Sequence, residues 1–328
     1  MGKLSAQRGP GKRLRHLAAR NRGIPADAAI EGMERALTRQ GVAGVFNDAD
    51  PVRLIGRTLN KAGLIRTIAP LTQTAYITPL MQMAAFRTFP QCLVSETIAY
   101  CFDCWPSAYE RWVQFFRATQ MKIAFISARQ SAEWMAKAIP GLDAIWMPEA
   151  IELAGYATPI PFEQRAIDVL ELGRRWDSYH DRIVDHCAER GYVHRYERTK
   201  GELVFADDAA FRDGLVNTRI SICFPSSLTH PDRSGDVETL TLRYLESIAS
   251  QSVIIGHCPQ ELKDLFGYNP VIEYDKQDPC GQIDATLHAI DEYQELVQKN
   301  YSRLLEVGTW DARVKTIMET LFDRGYTL

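Results

Sequence analysis

The sequence predicts a two-domain α/β protein, and three observations carry that prediction. Short apolar runs alternate with amphipathic helical patterns along the chain, a glycine and two prolines interrupt the alternation between Gly155 and Pro161, and 328 residues of which 46% are hydrophobic are enough to bury two cores. In order, Ala28 to about Gln40 has helical periodicity, and Val42 to Phe46 reads as a strand stopped by the turn-forming Asn47-Asp-Ala-Asp50. Pro51 suits the first turn of a helix through Leu59, because its missing N–H has no helical partner there. Leu93 to Phe102 contains an extended run, Tyr109 to Thr119 a helix, Lys122 to Ser127 a strand, Ala132 to Ala138 a helix and Ala144 to Met147 a strand that ends before Pro148. The linker falls at 155–161.

The second half repeats the alternation. Ala166 to Leu172 reads as a strand running into Gly173-Arg174-Arg175, followed by a helix from Ser178 to Arg190, a strand from Tyr192 to Glu197 and a helix from Asp207 to Asn217. Arg219 to Pro225 is a strand, Ser226 to Asp236 a polar loop, and the segment from Glu238 to Glu246 the next helix. Ser252 to Gly256 is a fully buried strand entering a glycine turn, Pro270 to Tyr274 the last strand, and helices from Asp284 to Glu306 and from Thr309 to Arg324 close the chain. Two α/β halves with a cleft between them is the expected architecture.

Composition excludes several classes. A net charge of −3 gives no global field toward nucleic acid, and no zinc-finger, helix-turn-helix or RNA-binding signature occurs. No apolar run reaches the ~18 residues of a membrane span, and the first thirty residues lack a secretory core, so a cytoplasmic protein is expected. Seven cysteines without regular spacing fit reduced thiols, and Cys101-Phe-Asp-Cys104 has no second pair nearby to complete a zinc site. No G-x-G-x-x-G follows a predicted strand, which argues against a nicotinamide enzyme. The amino terminus is locally basic: Lys3, Arg8, Lys12, Arg13, Arg15, Arg20 and Arg22 precede the first acidic residue, Asp27. Residues 1–25 are expected either as a solvated, disordered tail or as a peripheral contact with the inner face of a membrane, where each cation contributes about 1 kcal/mol.

The chemistry concentrates in Glu238-Thr-Leu-Thr-Leu-Arg-Tyr-Leu-Glu246. On an ideal helix the two carboxylates would stand about 80° apart, with Arg243 beside Glu246 at i,i+3. Opposite them Leu240, Leu242, Leu245 and Ile248 would face the core. A strand, a loop and a helix start form the α/β arrangement that offers backbone N–H groups to a phosphate. Arg243 would add charge-assisted bonds to a diphosphate, and Glu246 would accept bonds from two ribose hydroxyls. The alternative is a capping Glu238 with an ordinary surface Arg243–Glu246 pair. His230 in the preceding loop is either a sugar or phosphate contact or a solvent-exposed histidine. Asp103, after a predicted strand end, is either an acceptor-side general base or the cap of a turn.

Ile167-Asp-Val-Leu-Glu-Leu-Gly-Arg-Arg175, the strand ending at Pro225, and Thr241-Leu-Arg-Tyr-Leu-Glu-Ser-Ile-Ala249 together resemble the donor domain of GT-B glycosyltransferases, over about residues 120 to 325. The likeness is to the spore-maturation-type "glycosyl transferases group 1" branch, with Glu238 and Glu246 spaced as its E-x7-E pattern, and Cys258-Pro-Gln-Glu-Leu-Lys-Asp-Leu-Phe-Gly267 is similar to the segment that follows. What the resemblance implies is a GT-B-like fold of two Rossmann-like domains facing each other across a cleft. Residues 1–158 would be the acceptor side, 159–310 the nucleotide-sugar donor side, and 311–328 a helix crossing back. It implies sugar transfer to a glycan, lipid-linked or protein acceptor, without metal or cofactor and with retention at the anomeric carbon. Gly173 would admit the diphosphate, Arg174 and Arg243 would neutralise it, Glu246 would hold the ribose, and Glu238 would face the donor sugar. The family's Pro-x-x-x-Glu-x-Phe-Gly loop is replaced by Ser-Leu-Thr-His-Pro-Asp-Arg-Ser-Gly235, and Ser250-Gln251 stands where a small residue and glycine are common. These departures keep a second reading open: a catalytically silent nucleotide-sugar-binding or scaffold protein.

Overall fold

The computed structural model describes residues 11–18, 27–46, 50–83, 85–156, 160–173, 175–199 and 201–328. They group into two units: 1–104 with 108–147 and 310–328, and 105–107 with 148–309. In the first lie β1 Lys12–Ala18, α1 Asp27–Arg39, β2 Ala43–Phe46, α2 Asp50–Lys61, β3 Thr74–Leu80, β4 Glu96–Cys101, α3 Tyr109–Thr119, β5 Ile123–Ile126, α4 Arg129–Ala138 and β6 Asp143–Trp146. The second holds β7 Ile167–Leu170, α5 Asp177–Glu189, β8 His194–Arg195, α6 Asp208–Val216, β9 Thr218–Cys223, α7 Ser226–Thr229, α8 Pro231–Ser234, α9 Leu242–Ala249, β10 Val253–Gly256, α10 Gln260–Phe266, β11 Ile272–Glu273, α11 Pro279–His288 and α12 Gln294–Val307. Two carboxy-terminal elements, α13 Trp310–Asp323 and β12 Tyr326–Thr327, return to the first unit.

Both sheets are wholly parallel. The first runs β12-β1-β3-β4-β5-β6 with β2 also on β1, and the second runs β11-β10-β9-β7-β8. Parallel neighbours need crossover connections, so helices cover the sheets and the central strands are apolar on both faces. In β10, Val253 and Ile255 pack with Phe162, Val169, Ile220 and Ile222, while Ile254 packs on the other face with Tyr244, Leu245 and Leu262. In the first unit Trp112 and Phe116 of α3 stack at 5.6 Å beside buried Ala99, Ala124 and Ile126. Tyr100 meets Trp310 of α13 edge-on at 5.5 Å and its hydroxyl donates to Met147 O at 3.0 Å.

Three expectations are corrected. The basic amino terminus is not a tail throughout: residues 12–18 form β1 between β3 and β12, with Leu14 and Leu17 buried and Lys12 Nζ paired to Glu96 at 2.6 Å. Lys3, Arg8, Arg20 and Arg22 lie outside the described residues. The Glu238-to-Glu246 segment is not one helix, since α9 starts at Leu242. Glu261, 3% exposed, accepts the Thr239 hydroxyl at 2.8 Å and the Leu240 N–H at 3.4 Å, which holds the stretch before α9 out of helical hydrogen bonding. The carboxy-terminal helix expected from Asp284 is divided into α11 and α12 by a short 3-10 turn at Ile290–Tyr293.

Cys101 and Cys104 are free and buried, and burial pushes both thiols up, far from a reactive thiolate.

If β1 belongs to the core, Leu14→Ala should lower stability by about 2–5 kcal/mol in a urea-unfolding experiment. An unchanged midpoint would return residues 12–18 to solvent.

Candidate functional site

At the carboxyl end of β7 the chain leaves the sheet through Glu171, Leu172 and Gly173. Gly173 has φ +66°, a left-handed conformation that glycine adopts without a steric penalty. A Cβ there would lie 4.0 Å from Arg243 Nε, so the turn and the guanidinium of α9 are direct neighbours. Arg174 lies outside the described residues.

Glu171 anchors that turn. Its N–H donates to Arg195 O at 2.9 Å, and one carboxylate oxygen takes His180 Nδ1 at 2.6 Å and His194 Nε2 at 2.9 Å. Burial works to raise its pKa, but the two imidazole hydrogen bonds outweigh it and hold the carboxyl below its ordinary value. Sequence reading did not find this trio, because Glu171 follows β7, His180 sits in the first turn of α5 and His194 opens β8. The parallel pairing of Val169 with His194 brings His194 to Glu171, and the first turn of α5 brings His180.

Among the described residues these three also form the group whose ligand atoms, all within 4.8 Å of one another, could hold a metal ion. The 2.6 and 2.9 Å spacings onto a single oxygen are hydrogen-bond lengths. Ligands of one zinc ion at 2.0–2.1 Å would stand farther apart from each other. The trio as it stands is a hydrogen-bonded brace.

Helix α9 buries Tyr244, Leu245, Ile248 and Ala249, which leaves Arg243 and Glu246 together on its less buried side. No side chain caps its start at Thr241, so the first N–H groups retain the donor capacity and positive potential of a helix amino terminus. No described residue hydrogen-bonds to the Glu246 carboxylate. Desolvation pushes its pKa up to about 7, against the opposing pull of Arg243. Its charge acts on Tyr156 and on Cys223, the last residue of β9, and the Arg243 charge acts on Cys223 as well.

Glu238 lies in the extended stretch before α9. His257 Nε2 contacts its carboxylate at 3.0 Å and His257 Nδ1 contacts Glu273 at 3.2 Å, so one imidazole spans two carboxylates. His257 is placed by Gly256, where a Cβ would come 1.8 Å from Cys223 O, and its own N–H donates to Cys223 O at 3.1 Å. Tyr244 Oη donates to His257 O at 2.6 Å, tying this segment to α9. Sequence reading missed His257 and Glu273 too, and a lone histidine after a buried strand carries no local signal for them.

His230 joins α7 to α8, and its carbonyl accepts from Ser234 Oγ at 2.9 Å. The expected polar loop thus contains two single-turn helices. Asp103 belongs to the other unit, just past β4, and its carbonyl accepts from Trp112 Nε1 at 3.2 Å. The structure therefore brings Gly173, Arg243 and Glu246 together at the strand ends of the second unit and ties Glu238 to His257.

A carboxyl raised to about 7 in the folded protein opposes folding progressively between pH 4.5 and 7 and fully above that range. Glu246→Gln should therefore raise the thermal midpoint at pH 8 and leave it unchanged near pH 4.5. Equal midpoints at both pH values would show that the carboxyl is not desolvated.

No protein-family model and no curated protein matches the sequence. Among solved structures the chain is similar to Anabaena Alr3699/HepE in complex with UDP and glucose, at 8% identity and a TM-score of 0.59, covering 95% of this chain and 100% of that one. Sucrose-phosphate synthase from Thermosynechococcus elongatus matches at 11% identity and a TM-score of 0.59, with 95% and 100% covered. TarM matches at 7% identity and a TM-score of 0.55, with 82% of this chain covered and 58% of TarM spanned. At such identities the likeness is one of fold: two parallel-sheet α/β units, each Rossmann-like, as in the GT-B fold.

Proposed function

We propose that the protein transfers a sugar from a nucleotide-sugar donor to a glycan, lipid-linked or protein acceptor. The observation that carries this reading is Glu246: a desolvated carboxylate without a hydrogen-bond partner among the described residues, one helical turn from Arg243, whose guanidinium borders the Gly173 turn. Such a group is poised to accept two bonds from a ribose diol. The arginine, the Gly173 backbone and the uncapped start of α9 would take the diphosphate. HepE, solved with UDP-glucose, supports a nucleotide-sugar donor for this fold.

In the reaction the bond between the anomeric carbon and the diphosphate breaks, and negative charge grows on the departing phosphate. Arg243, the α9 start and Arg174 would stabilise that charge more in the transition state than in the ground state. This division of labour is metal-independent. An Asp-x-Asp spacing does occur at Asp48–Asp50, in the amino-terminal half of the sequence and outside the segment that resembles the donor domain. Glu238, held by His257, would face the donor sugar, with His230 as a further sugar or phosphate contact. With retention, the acceptor hydroxyl oxygen would bond to the anomeric carbon as its proton passes to the departing phosphate oxygen, so no protein base is required and Asp103, in the first unit, would serve acceptor binding.

A donor bound through ionised Glu246 releases a proton when the free carboxyl titrates near 7. Affinity for the matching UDP-, GDP- or dTDP-sugar, measured by calorimetry, should rise about tenfold from pH 6 to pH 8. Glu246→Gln should flatten that profile, and Glu246→Ala should weaken binding by about 1.5–3 kcal/mol. Absence of binding across the donor panel would refute the reading. Binding without donor turnover over plausible acceptors would favour the silent scaffold.

A further inference from the structure

The first unit carries a face that donor chemistry does not use. Between Pro51 and Ser95 the sequence has no acidic residue, whereas Arg53, Arg57, Lys61, Arg66 and Arg87 all fall there. The same stretch concentrates exposed large apolar side chains: Leu54 and Ile55 on α2, then Leu64, Ile68 and Leu71 in the segment leading to β3, are between 51% and 74% exposed.

These side chains are presented by an anchored backbone. On α2, buried Gly56 lies against Phe86 and Phe89, and Leu59 packs on the core of the unit. Leu54, Ile55, Arg57 and Lys61 consequently share the outer side, where Leu54, Arg57 and Lys61 follow i, i+3, i+7 spacing. After the helix, Ile65 is buried and Thr67 Oγ1 donates to Thr119 O at 2.7 Å. The N–H groups of Ile68 and Leu71 donate to Leu93 O at 2.9 Å and Val94 O at 2.8 Å. Large apolar groups fixed outward among cations are what an interfacial element requires.

We propose that α2 and residues 62–71 dock onto an anionic lipid bilayer. A bilayer uses both features. A second copy would bring the same positive charge to the contact, and a soluble polyanion would satisfy the cations while leaving the apolar side chains in water. At a bilayer interface the side chains enter the headgroup boundary and the cations meet anionic lipid. No helix among the described residues is long and apolar enough to cross a membrane, so the contact is interfacial. This inference stands apart from the glycosyl-transfer reading, and its test measures no turnover.

The full chain is floated with vesicles of phosphatidylcholine plus phosphatidylglycerol and with vesicles of phosphatidylcholine alone. Flotation with the anionic vesicles only is expected. Arg57→Glu/Lys61→Glu should lower the partition coefficient by at least about tenfold, and Leu54→Ser/Ile55→Ser should do the same. All four side chains are exposed, so thermal melts should match the parent. Lys3→Glu/Arg8→Glu should leave flotation unchanged. The proposal is overturned by absence of flotation, by parent-like flotation of either α2 variant, or by loss confined to the Lys3/Arg8 variant. Persistence of the serine pair's binding with complete stripping by salt would mark a general polyanion surface, and it too counts against a bilayer.

Discussion

The proposed site in the second unit depends on one placement: Glu246 beside Arg243 on α9, a helix whose other side is committed to the core. With Arg243 three residues before Glu246, neither group can be relocated without moving Tyr244, Leu245 and Ile248. A carboxylate whose pKa is pushed up to about 7 is a destabilising feature at neutral pH, opposed only in part by the arginine. Surface ion pairs at i,i+3 do not behave this way, because water screens both partners and leaves their titration near ordinary values. On the proposed reading, this cost would be offset when a donor's hydroxyls hydrogen-bond to the carboxylate.

The elements around it serve rigidity. Glu171 clamps the end of β7 to α5 and β8 through two imidazoles, which fixes where Gly173 turns. Glu261 straightens the stretch before α9, and His257 bridges Glu238 to Glu273 while Tyr244 holds the His257 carbonyl. Each contact joins residues nine or more positions apart in the chain. Their combined effect is to hold a few polar groups at fixed positions on a scaffold whose interior is apolar, which is how open α/β sheets build sites at their carboxyl edges.

Most of this fold was legible because the parallel-sheet strands are short apolar runs bounded by turns, and the helices between them keep one apolar face. Tyr109 to Thr119 was read to its observed ends for that reason. Failures have specific causes. Thr74–Leu80 escaped notice because Pro79 lies inside it, and Lys12–Ala18 because four of its seven residues are basic or histidine and masked its burial. Glu238 was placed on a helix by spacing alone, yet the threonines at 239 and 241 favour side-chain bonding over helix interior, and a buried glutamate from α10 supplied the partner for Thr239. Of the site, Arg243 and Glu246 stood out from local pattern and Gly173 from the family resemblance, and the structure sets the three near one another. The Glu171, His180 and His194 brace was not legible, since its members meet only through the β7–β8 pairing and the placement of α5.

Charge illustrates the difference between a total and a distribution. A net value of −3 rules out a global attraction to polyanions, and the sequence was read that way. It says nothing about a stretch such as Pro51 to Ser95, where every ionisable lysine, arginine, aspartate or glutamate is a cation and acidic residues elsewhere conceal the imbalance. Screening confines a charge's influence to roughly 8–10 Å at physiological salt, so a partner senses the local face and not the sum. The amino-terminal cations drew attention as a cluster in sequence, but Lys12, Arg13 and Arg15 are committed to a strand. Cations spaced along α2 are less conspicuous in the sequence and, being exposed beside apolar side chains, physically better suited to an interface.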